Sequence, residues 1–207
     1  MPTENIPSGR RRSFIEAARR AQIIEAAIAT VNAVGYPGAS LARIAEQAGI
    51  SKSVISYHFD GKTELLLQLV DEVFTALGQV TKAAVEVETT PTAKLAAYVR
   101  GYLTHAARHR ADVLAALEIV VTHRDADGVP MYLTEGEEDT ALLQSVIAAG
   151  MASGEFRTFD LTIAVTIVVH VVDSALTRSQ MYPETDLLLW ADELVPIVLD
   201  ALRPREK

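Results

Sequence analysis

The segment ASLARIAEQAGISKSVISYHFDGKTELL, residues 39–66, determines the fold of the first part of the chain. Its apolar residues recur at three- and four-residue steps in two short runs, which predicts two short amphipathic helices. Gly49 lies between the runs, where a steep crossing of the helices needs a positive φ. The alanines before it are small enough to let the helices approach closely. The spacing therefore predicts a helix-turn-helix, with Ser40 and Ser51 as helix caps.

The second helix of this motif presents polar side chains on the face opposite its apolar residues. Short hydroxyls, one cation and one phenol suit base edges and phosphates in a major groove of DNA. The candidate DNA-contacting residues of this helix are Ser51, Lys52, Ser53, Ser56 and Tyr57. From the residues alone, the alternative is an ordinary helical hairpin with no role in DNA binding.

The net charge of −8 is unusual for a DNA-binding protein, but the charge is unevenly distributed. Residues 1–60 hold seven basic and five acidic side chains, whereas the remainder holds 12 basic and 22 acidic ones. This asymmetry indicates a basic module on an acidic body. Three adjacent arginines, Arg10 to Arg12, precede the predicted first helix. They form either an arm that reaches phosphate or the minor groove, with Arg12 as its candidate contact, or a solvated tail.

Helical periodicity continues through the rest of the chain, and no segment has the period of a strand. The predicted fold is all-α: an N-terminal three-helix helix-turn-helix domain followed by a C-terminal bundle of about six longer helices. Gly35 supplies the stop of the first helix, while Thr90 and Asp160 supply caps for later ones. We expect a DNA-binding domain with its basic arm at 1–60, and a ligand-sensing and dimerisation domain at 61–207.

Composition argues against several other classes of protein. Cysteine is absent, which excludes a disulfide framework and suits a reducing cytoplasm. No apolar signal-peptide core follows the arginines, so we expect a cytoplasmic protein. The most apolar run, Leu161 to Val172, is interrupted by polar residues and is shorter than the roughly 20 residues that span a bilayer. It is therefore predicted to be a buried helix.

Enzymatic chemistry has no visible support in the sequence. The five histidines are scattered and no nucleophile with its base is evident. Neither a P-loop nor a dinucleotide fingerprint occurs. His105 and His109 have the spacing of two metal ligands, but no third ligand lies nearby in the sequence. We expect no enzyme activity, no cofactor and no metal.

The motif and its surroundings resemble the tetracycline-repressor (TetR-like) family of bacterial regulators. The resemblance rests on IAEQAGISKSVISYHF, followed closely by GKTELL, just after one N-terminal amphipathic helix. It implies that Ser40 and Lys62 meet phosphates, that residues 51–53 face the groove, and that Tyr57 lies near the DNA backbone. The chain departs from the family at Ser56, where a tyrosine is common.

The same resemblance implies that the later helices bind a small inducer and pair two subunits. Tyrosine and histidine side chains on one face of the fifth predicted helix form either a pocket wall or a half-exposed face. The polar stripe of the eighth predicted helix faces solvent, a ligand cavity or a partner subunit. Glu118, in an apolar sixth helix, is either a pocket anion or a carboxylate at the rim. The candidate ligand-binding residues are Tyr98, Tyr102, His105, Glu118, Val146, Thr166 and His170. The candidate dimer-interface residues are Val169, Val172, Leu176, Leu194 and Val198.

The expected function is that of a ligand-responsive, DNA-binding transcriptional regulator. The resemblance favours a homodimeric repressor that leaves a palindromic operator on double-stranded DNA when a small, mostly apolar effector binds. One alternative is a dimeric DNA-binding regulator without small-molecule input. Another, from a different class, is a helical ligand-binding protein or enzyme.

Overall fold

The computed structural model describes the backbone over residues 8–133 and 137–204, and the side chains over 15–133 and 140–204. These residues form nine α-helices, which confirms the predicted all-α class. The helices are α1 (Ser8–Gly38), α2 (Leu41–Ala48), α3 (Lys52–His58), α4 (Lys62–Glu86), α5 (Pro91–Arg108), α6 (Arg110–Thr122), α7 (Glu137–Ser153), α8 (Leu161–Met181) and α9 (Leu187–Leu202).

Helix α1 departs from the predicted layout of three short helices. It spans 31 residues, and the predicted stop at Gly35 is a kink inside it, where φ is 74° and ψ is 162°. Because the helix begins at Ser8, Arg12 lies within it and not in a segment before it. The side chain of Arg12 lies outside the described residues, so its contact with DNA stays a prediction.

The chain divides into two compact units. The first unit comprises the chain up to Glu72 together with Ala115–Pro130. The second unit comprises Val73–Leu114 together with the chain from Met131 onward. The boundaries fall inside α4 and α6. These units are defined by packing, so the predicted functional division between residues 60 and 61 stays a prediction.

The core of the first unit forms where the apolar faces of its short helices meet α1. On α1, Ile23, Ala27 and Val31 recur every fourth residue and are fully buried. Fully burying an aliphatic side chain contributes roughly 1.5–3 kcal/mol. The other large residues of this core are Ile44, Ile55, Phe59, Leu65, Leu66, Leu69 and Ile119.

Helix α5 is the centre of the second unit. Its residues Leu95, Val99 and Leu103 recur every fourth position and are fully buried, so one stripe of the helix faces the core. The hydroxyl of Thr90 caps the helix by accepting from the Ala93 N–H at 3.2 Å, as predicted. The side chains around this stripe include Leu143, Val146, Ile147, Phe156, Val165, Val168, Val198 and Leu202.

Helix α8 is buried on one face only, which corrects the expectation of a buried helix. Val168 and Val172 lie in the core, but Ile163 and Ile167 are 60% and 55% exposed. By length and composition α8 is apolar enough to cross a membrane. A single such helix is weak evidence, since a core helix of a soluble protein passes the same test.

One buried hydroxyl yields a prediction about the fold. Thr81 on α4 is 2% exposed, and its Oγ1 is buried without a hydrogen-bond partner. Burying an unpaired hydroxyl costs free energy, so Thr81→Val should raise the free energy of unfolding by about 1 kcal/mol. Chemical denaturation followed by circular dichroism measures this change. The matched control is Thr75→Val on the exposed face of the same helix, and an equal or larger gain there would contradict the explanation.

Candidate nucleic-acid interface

The turn of the helix-turn-helix forms as the spacing predicts. Gly49 adopts the left-handed conformation, with φ 65° and ψ 30°. Its N–H donates to the Glu46 carbonyl at 3.1 Å, and the Ile50 N–H donates to the Ala45 carbonyl at 3.0 Å. These bonds satisfy the last carbonyls of α2. Any other residue would occupy this conformation at a cost of roughly 1–2 kcal/mol.

Helix α3 has one buried face and one exposed face. Ile55 is fully buried and Phe59, which follows the helix, is 2% exposed. The five predicted DNA-contacting residues are all exposed, and Tyr57 is 77% exposed. We call this set, Ser51, Lys52, Ser53, Ser56 and Tyr57, the recognition face. It offers hydroxyls, an ammonium and a phenol to an external partner.

The two predicted caps of the motif behave differently. Ser40 accepts from the Arg43 N–H at 3.3 Å, which confirms its capping role in α2. Ser51 stands at the N-cap position of α3, but its hydroxyl makes no capping bond. The Ser51 Oγ lies 2.8 Å from the Ser53 Oγ instead. The prediction that the Ser51 hydroxyl caps α3 was therefore wrong. Both hydroxyls are exposed on the recognition face.

Arg20 of α1 holds α3 in place, a role that sequence reasoning missed. Its guanidinium carbon lies 4.2 Å from the centroid of the Phe59 ring. The same group donates to the His58 carbonyl at the end of α3 and to the Gln68 side chain on α4. A stacked guanidinium with several donors suits such an anchoring site. In the sequence, Arg20 was indistinguishable from the other cations of the basic module.

Lys62, a predicted phosphate contact, is engaged within the first unit. Its Nζ donates to the Tyr36 carbonyl at 2.6 Å and lies 4.5 Å from the centroid of the Tyr36 ring. Burial lowers the pKa of Lys62. An ammonium has three donors, so a phosphate contact would use those that Tyr36 leaves. That contact stays a prediction.

Glu118, a predicted pocket anion, accepts a hydrogen bond from the backbone at the kink of α1. Its Oε1 accepts from the Tyr36 N–H at 2.6 Å. A Cβ atom at Gly35 would lie 2.9 Å from the same oxygen, and the positive φ there also favours glycine. The Tyr36 hydroxyl lies 2.6 Å from Nδ1 of His123. Glu118 therefore has a structural partner, and its role in ligand binding stays a prediction.

Helices α5 and α8 bring together two of the predicted sensor residues and a carboxyl group. The Tyr102 hydroxyl donates to Oδ1 of Asp173 at 3.2 Å, and the rings of Tyr98 and Tyr102 stack with centroids 6.3 Å apart. The pKa of Tyr98 is raised to about 12, mainly by burial and to a lesser extent by the negative charge of Asp173. Burial also raises the pKa of Asp173, against the Tyr102 hydrogen bond and the charge of His170.

The other predicted sensor residues of the second unit lie apart from this group. Val146 is packed in the core at 3% exposure. Thr166 and His170 lie on the exposed face of α8, where Nδ1 of His170 is 2.8 Å from the Thr166 carbonyl. His105 lines a groove between α4 and α5. Within the described residues, no group of three or more His, Cys, Asp or Glu side chains could hold a metal ion.

Most of the predicted dimer-interface residues are already buried by their own chain. Val172, Leu176, Leu194 and Val198 are at most 9% exposed, and Val169 is half-buried. Their burial therefore needs no partner subunit. The large exposed apolar side chains of α8 and α9, which sequence reasoning missed, are Ile163, Ile167, Met181, Leu188, Leu189 and Ile197.

An exposed recognition face on a two-helix motif, carried by an all-α chain, defines the helix-turn-helix class of DNA-binding proteins. Comparison with known families agrees. Residues 23–69 match the family described as "Bacterial regulatory proteins, tetR family". The match covers both helices of the motif and the start of α4. Over these residues the chain is similar to that family.

A curated relative matches part of the chain, and solved structures share its fold. The HTH-type transcriptional regulator BetI of Pectobacterium carotovorum is 40% identical over 85 residues, which cover 40% of this chain and 44% of BetI. The chain thus matches less than half the length of this relative. The fatty acid degradation regulator FadR of Bacillus halodurans has a TM-score of 0.79 at 21% identity, covering 90% of this chain and 97% of FadR. This likeness shows a shared fold.

A second structural neighbour was solved with a bound small molecule. The regulator FadR of Bacillus subtilis, in complex with stearoyl-CoA, has a TM-score of 0.75 at 18% identity, and the match covers 88% of this chain and 99% of that protein. The matched family and the proteins named here are described as regulators.

The contact between Glu118 and the α1 kink yields a stability prediction. Glu118→Ala leaves the Tyr36 N–H without its charged acceptor, so the free energy of unfolding should fall by about 1–3 kcal/mol. Denaturant titration of the full chain measures the loss. Glu25→Ala, on the exposed face of α1, is the control and should change stability by less than about 0.5 kcal/mol. Equal effects of the two substitutions would remove the structural role assigned to Glu118.

The burial of Asp173 yields a prediction about pH. Its pKa is raised in the folded chain, so the folded state holds the proton more tightly than the unfolded state. The stability that this residue contributes is therefore present below its ordinary pKa of 3.8 and is lost as the pH rises through its folded pKa. Asp173→Asn cannot ionise, so its stability relative to the wild type should increase as the pH rises from 3.8.

Thermal unfolding of both proteins across this pH range measures the difference. Asp71→Asn, on the exposed face of α4, controls for the amide substitution itself. A difference between Asp173→Asn and wild type that is flat or decreases with pH would contradict the assigned effect of burial.

Proposed function

We propose that the chain is a DNA-binding transcriptional regulator whose helix α3 enters the major groove. The recognition face is the observation that carries this proposal, because it exposes five polar side chains on a helix whose other face is locked into the core. A major groove about 12 Å wide admits one α-helix. The similarity to BetI and to the tetR family supports the same function.

We further propose that the regulator acts as a homodimer. One short recognition helix contacts too few base pairs for genomic specificity, whereas two helices about 34–36 Å apart would read successive major grooves. The exposed isoleucines and leucines of α8 and α9, two helices that contact each other, favour these helices as the subunit interface, since exposed apolar surface is typical of association sites. The operator would then be a palindrome.

A small effector completes the proposed mechanism. An effector shifts DNA affinity only if it binds the DNA-competent and incompetent conformers with unequal affinity. The binding of stearoyl-CoA by a protein of the same fold supports effector binding as a function of this architecture. We propose a cytoplasmic repressor that leaves its operator when a mostly apolar effector binds.

Selection from a random pool of DNA duplexes tests the central proposal. The full chain is incubated with the pool at low salt, and bound duplexes are amplified and sequenced over several rounds. A DNA-binding regulator should enrich one palindromic motif, whose two halves are about one helical turn apart. A pool that stays random after repeated rounds would overturn the proposal, and a single asymmetric half-site would overturn the dimeric geometry.

Two residues of the recognition face give a prediction about affinity. Lys52→Ala should weaken binding to the selected duplex roughly tenfold and lower the slope of log affinity against log salt by about one per subunit, because it removes a cation from the recognition face. Tyr57→Ala should also weaken binding. Fluorescence anisotropy at several salt concentrations measures both effects. Lys82→Ala, an exposed lysine on α4, is the matched control, and a comparable loss there would mean that only net charge matters.

The exposed residues of α8 and α9 give a prediction about assembly. The double variant Ile167→Glu with Leu189→Glu should be monomeric where the wild type is a dimer, because it places charges in an apolar interface. Sedimentation velocity at micromolar concentration distinguishes the two states. Val121→Glu, which alters an exposed apolar residue of α6, should remain dimeric. A double variant that sediments as the wild-type dimer would contradict this interface.

A further inference from the structure

A groove of about 690 Å³ lies between α4 and α5 in the second unit. Small residues line it on both helices, among them Ala84 on α4 and Ala96, Ala97 and Gly101 on α5. A Cβ atom at Gly101 would lie 3.3 Å from the Cβ of Ala84, so the two helices touch at this point. The small side chains around the contact leave room for a ligand.

The sides of the groove are apolar and partly in contact with water. Val80 of α4 and Val87, which directly follows that helix, line it, and they are 47% and 78% exposed. Together with the alanines they form a strip of apolar surface. A ligand with an apolar chain would remove this strip from water, at roughly 25 cal/mol for each Å² covered.

Basic side chains gather where α5 ends. His105, Arg108 and His109 line the groove there, and we call these three residues the basic end. The two imidazole rings stack with centroids 4.4 Å apart, and Asp112 Oδ2 lies 3.4 Å from Nδ1 of His109. Burial and the charge of His109 lower the pKa of His105; Asp112 opposes this shift and Arg108 adds to it. An anion at this end would favour the charged form of His105.

The charges at other points of the groove do not compete for that partner. Arg100 lies midway along α5 and forms an exposed ion pair, in which its Nε is 3.8 Å from Oδ1 of Asp192. Glu88, an acid, lines the groove with Ala93 near the start of α5. At 1.5 Å per residue, the 15 steps from Ala93 to Arg108 span about 22 Å. The groove lining is therefore polarised, with Glu88 near one end and three basic side chains at the other, where Asp112 is paired with His109.

We propose that this groove binds an amphiphile with one apolar chain and an anionic head, either a carboxylate or a phosphate. The head lies at the basic end, where the Arg108 guanidinium supplies charge-assisted hydrogen bonds and the imidazoles supply further hydrogen-bonding groups. The chain lies along the valines and alanines of α4 and α5. This inference names a ligand class for the effector response proposed above and rests on that proposal. Binding of the amphiphile to the chain is measured without DNA.

Isothermal titration calorimetry of the full chain tests the ligand class. The probes are decanoate and decyl phosphate, each below its micelle concentration, with decyltrimethylammonium and decanol as matched cationic and neutral probes. Both anions should bind at least about tenfold more tightly than the other two, and the tighter of the two identifies the preferred head group. Equal or tighter binding of decyltrimethylammonium would overturn the proposal.

Variants and the histidine resonances test the location. Arg108→Gln should weaken decanoate binding roughly tenfold, whereas Lys82→Gln, on α4 outside the groove lining, should leave it unchanged. Ala96→Phe should block the groove, with circular dichroism as the check on folding. Decanoate should shift the imidazole resonances of His105 and His109 and raise the titration midpoint of His105. Undiminished binding by both groove variants, with unmoved resonances, would overturn the location.

Separate DNA measurements distinguish the possible failures. A chain that binds its selected duplex but neither anion leaves the regulator proposal standing and overturns this inference alone. A chain that binds decanoate in the groove but enriches no duplex supports the ligand class and overturns the proposed function.

Discussion

The burial of Ile55 and Phe59 is the constraint on which the proposed DNA interface depends. Helix α3 has only seven residues, and helices of this length are unstable alone in water. Its position therefore comes from packing its apolar face against the first unit, with the Arg20 guanidinium stacked on the Phe59 ring. That packing leaves Lys52, Ser53, Ser56 and Tyr57 directed away from the core, which is what a reading surface requires.

Local signals in the sequence were sufficient for the helix-turn-helix. The turn at Gly49, the cap at Ser40 and the split between apolar and polar faces of α3 each follow from neighbouring residues, and the structure has all three. The role of Ser51 was harder to predict, because its hydroxyl can bond to the backbone or to Ser53. The local sequence does not determine which of these partners Ser51 takes. In the structure, its hydroxyl lies beside the Ser53 hydroxyl.

Contacts between distant parts of the chain were not predictable from periodicity. Glu118 is an exception to the apolar pattern of α6, and its partner, the Tyr36 N–H, is 82 residues away. Nothing in either segment identifies the pairing. The same holds for the faces of α8, where the sequence shows an apolar helix with a polar stripe but does not show which isoleucines the rest of the chain covers. Four of the five predicted interface residues are buried by their own chain, while Ile163 and Ile167 are exposed.

Photocrosslinking from the recognition face tests the central claim most directly. A benzophenone amino acid is placed at position 57, or, as a control, at position 132, where a tyrosine is 45% exposed in the second unit. Irradiation with the selected duplex should crosslink DNA to position 57 and not to position 132. Crosslinking from position 132 alone, by protein that still binds the duplex, would show that DNA binds elsewhere and would contradict the account.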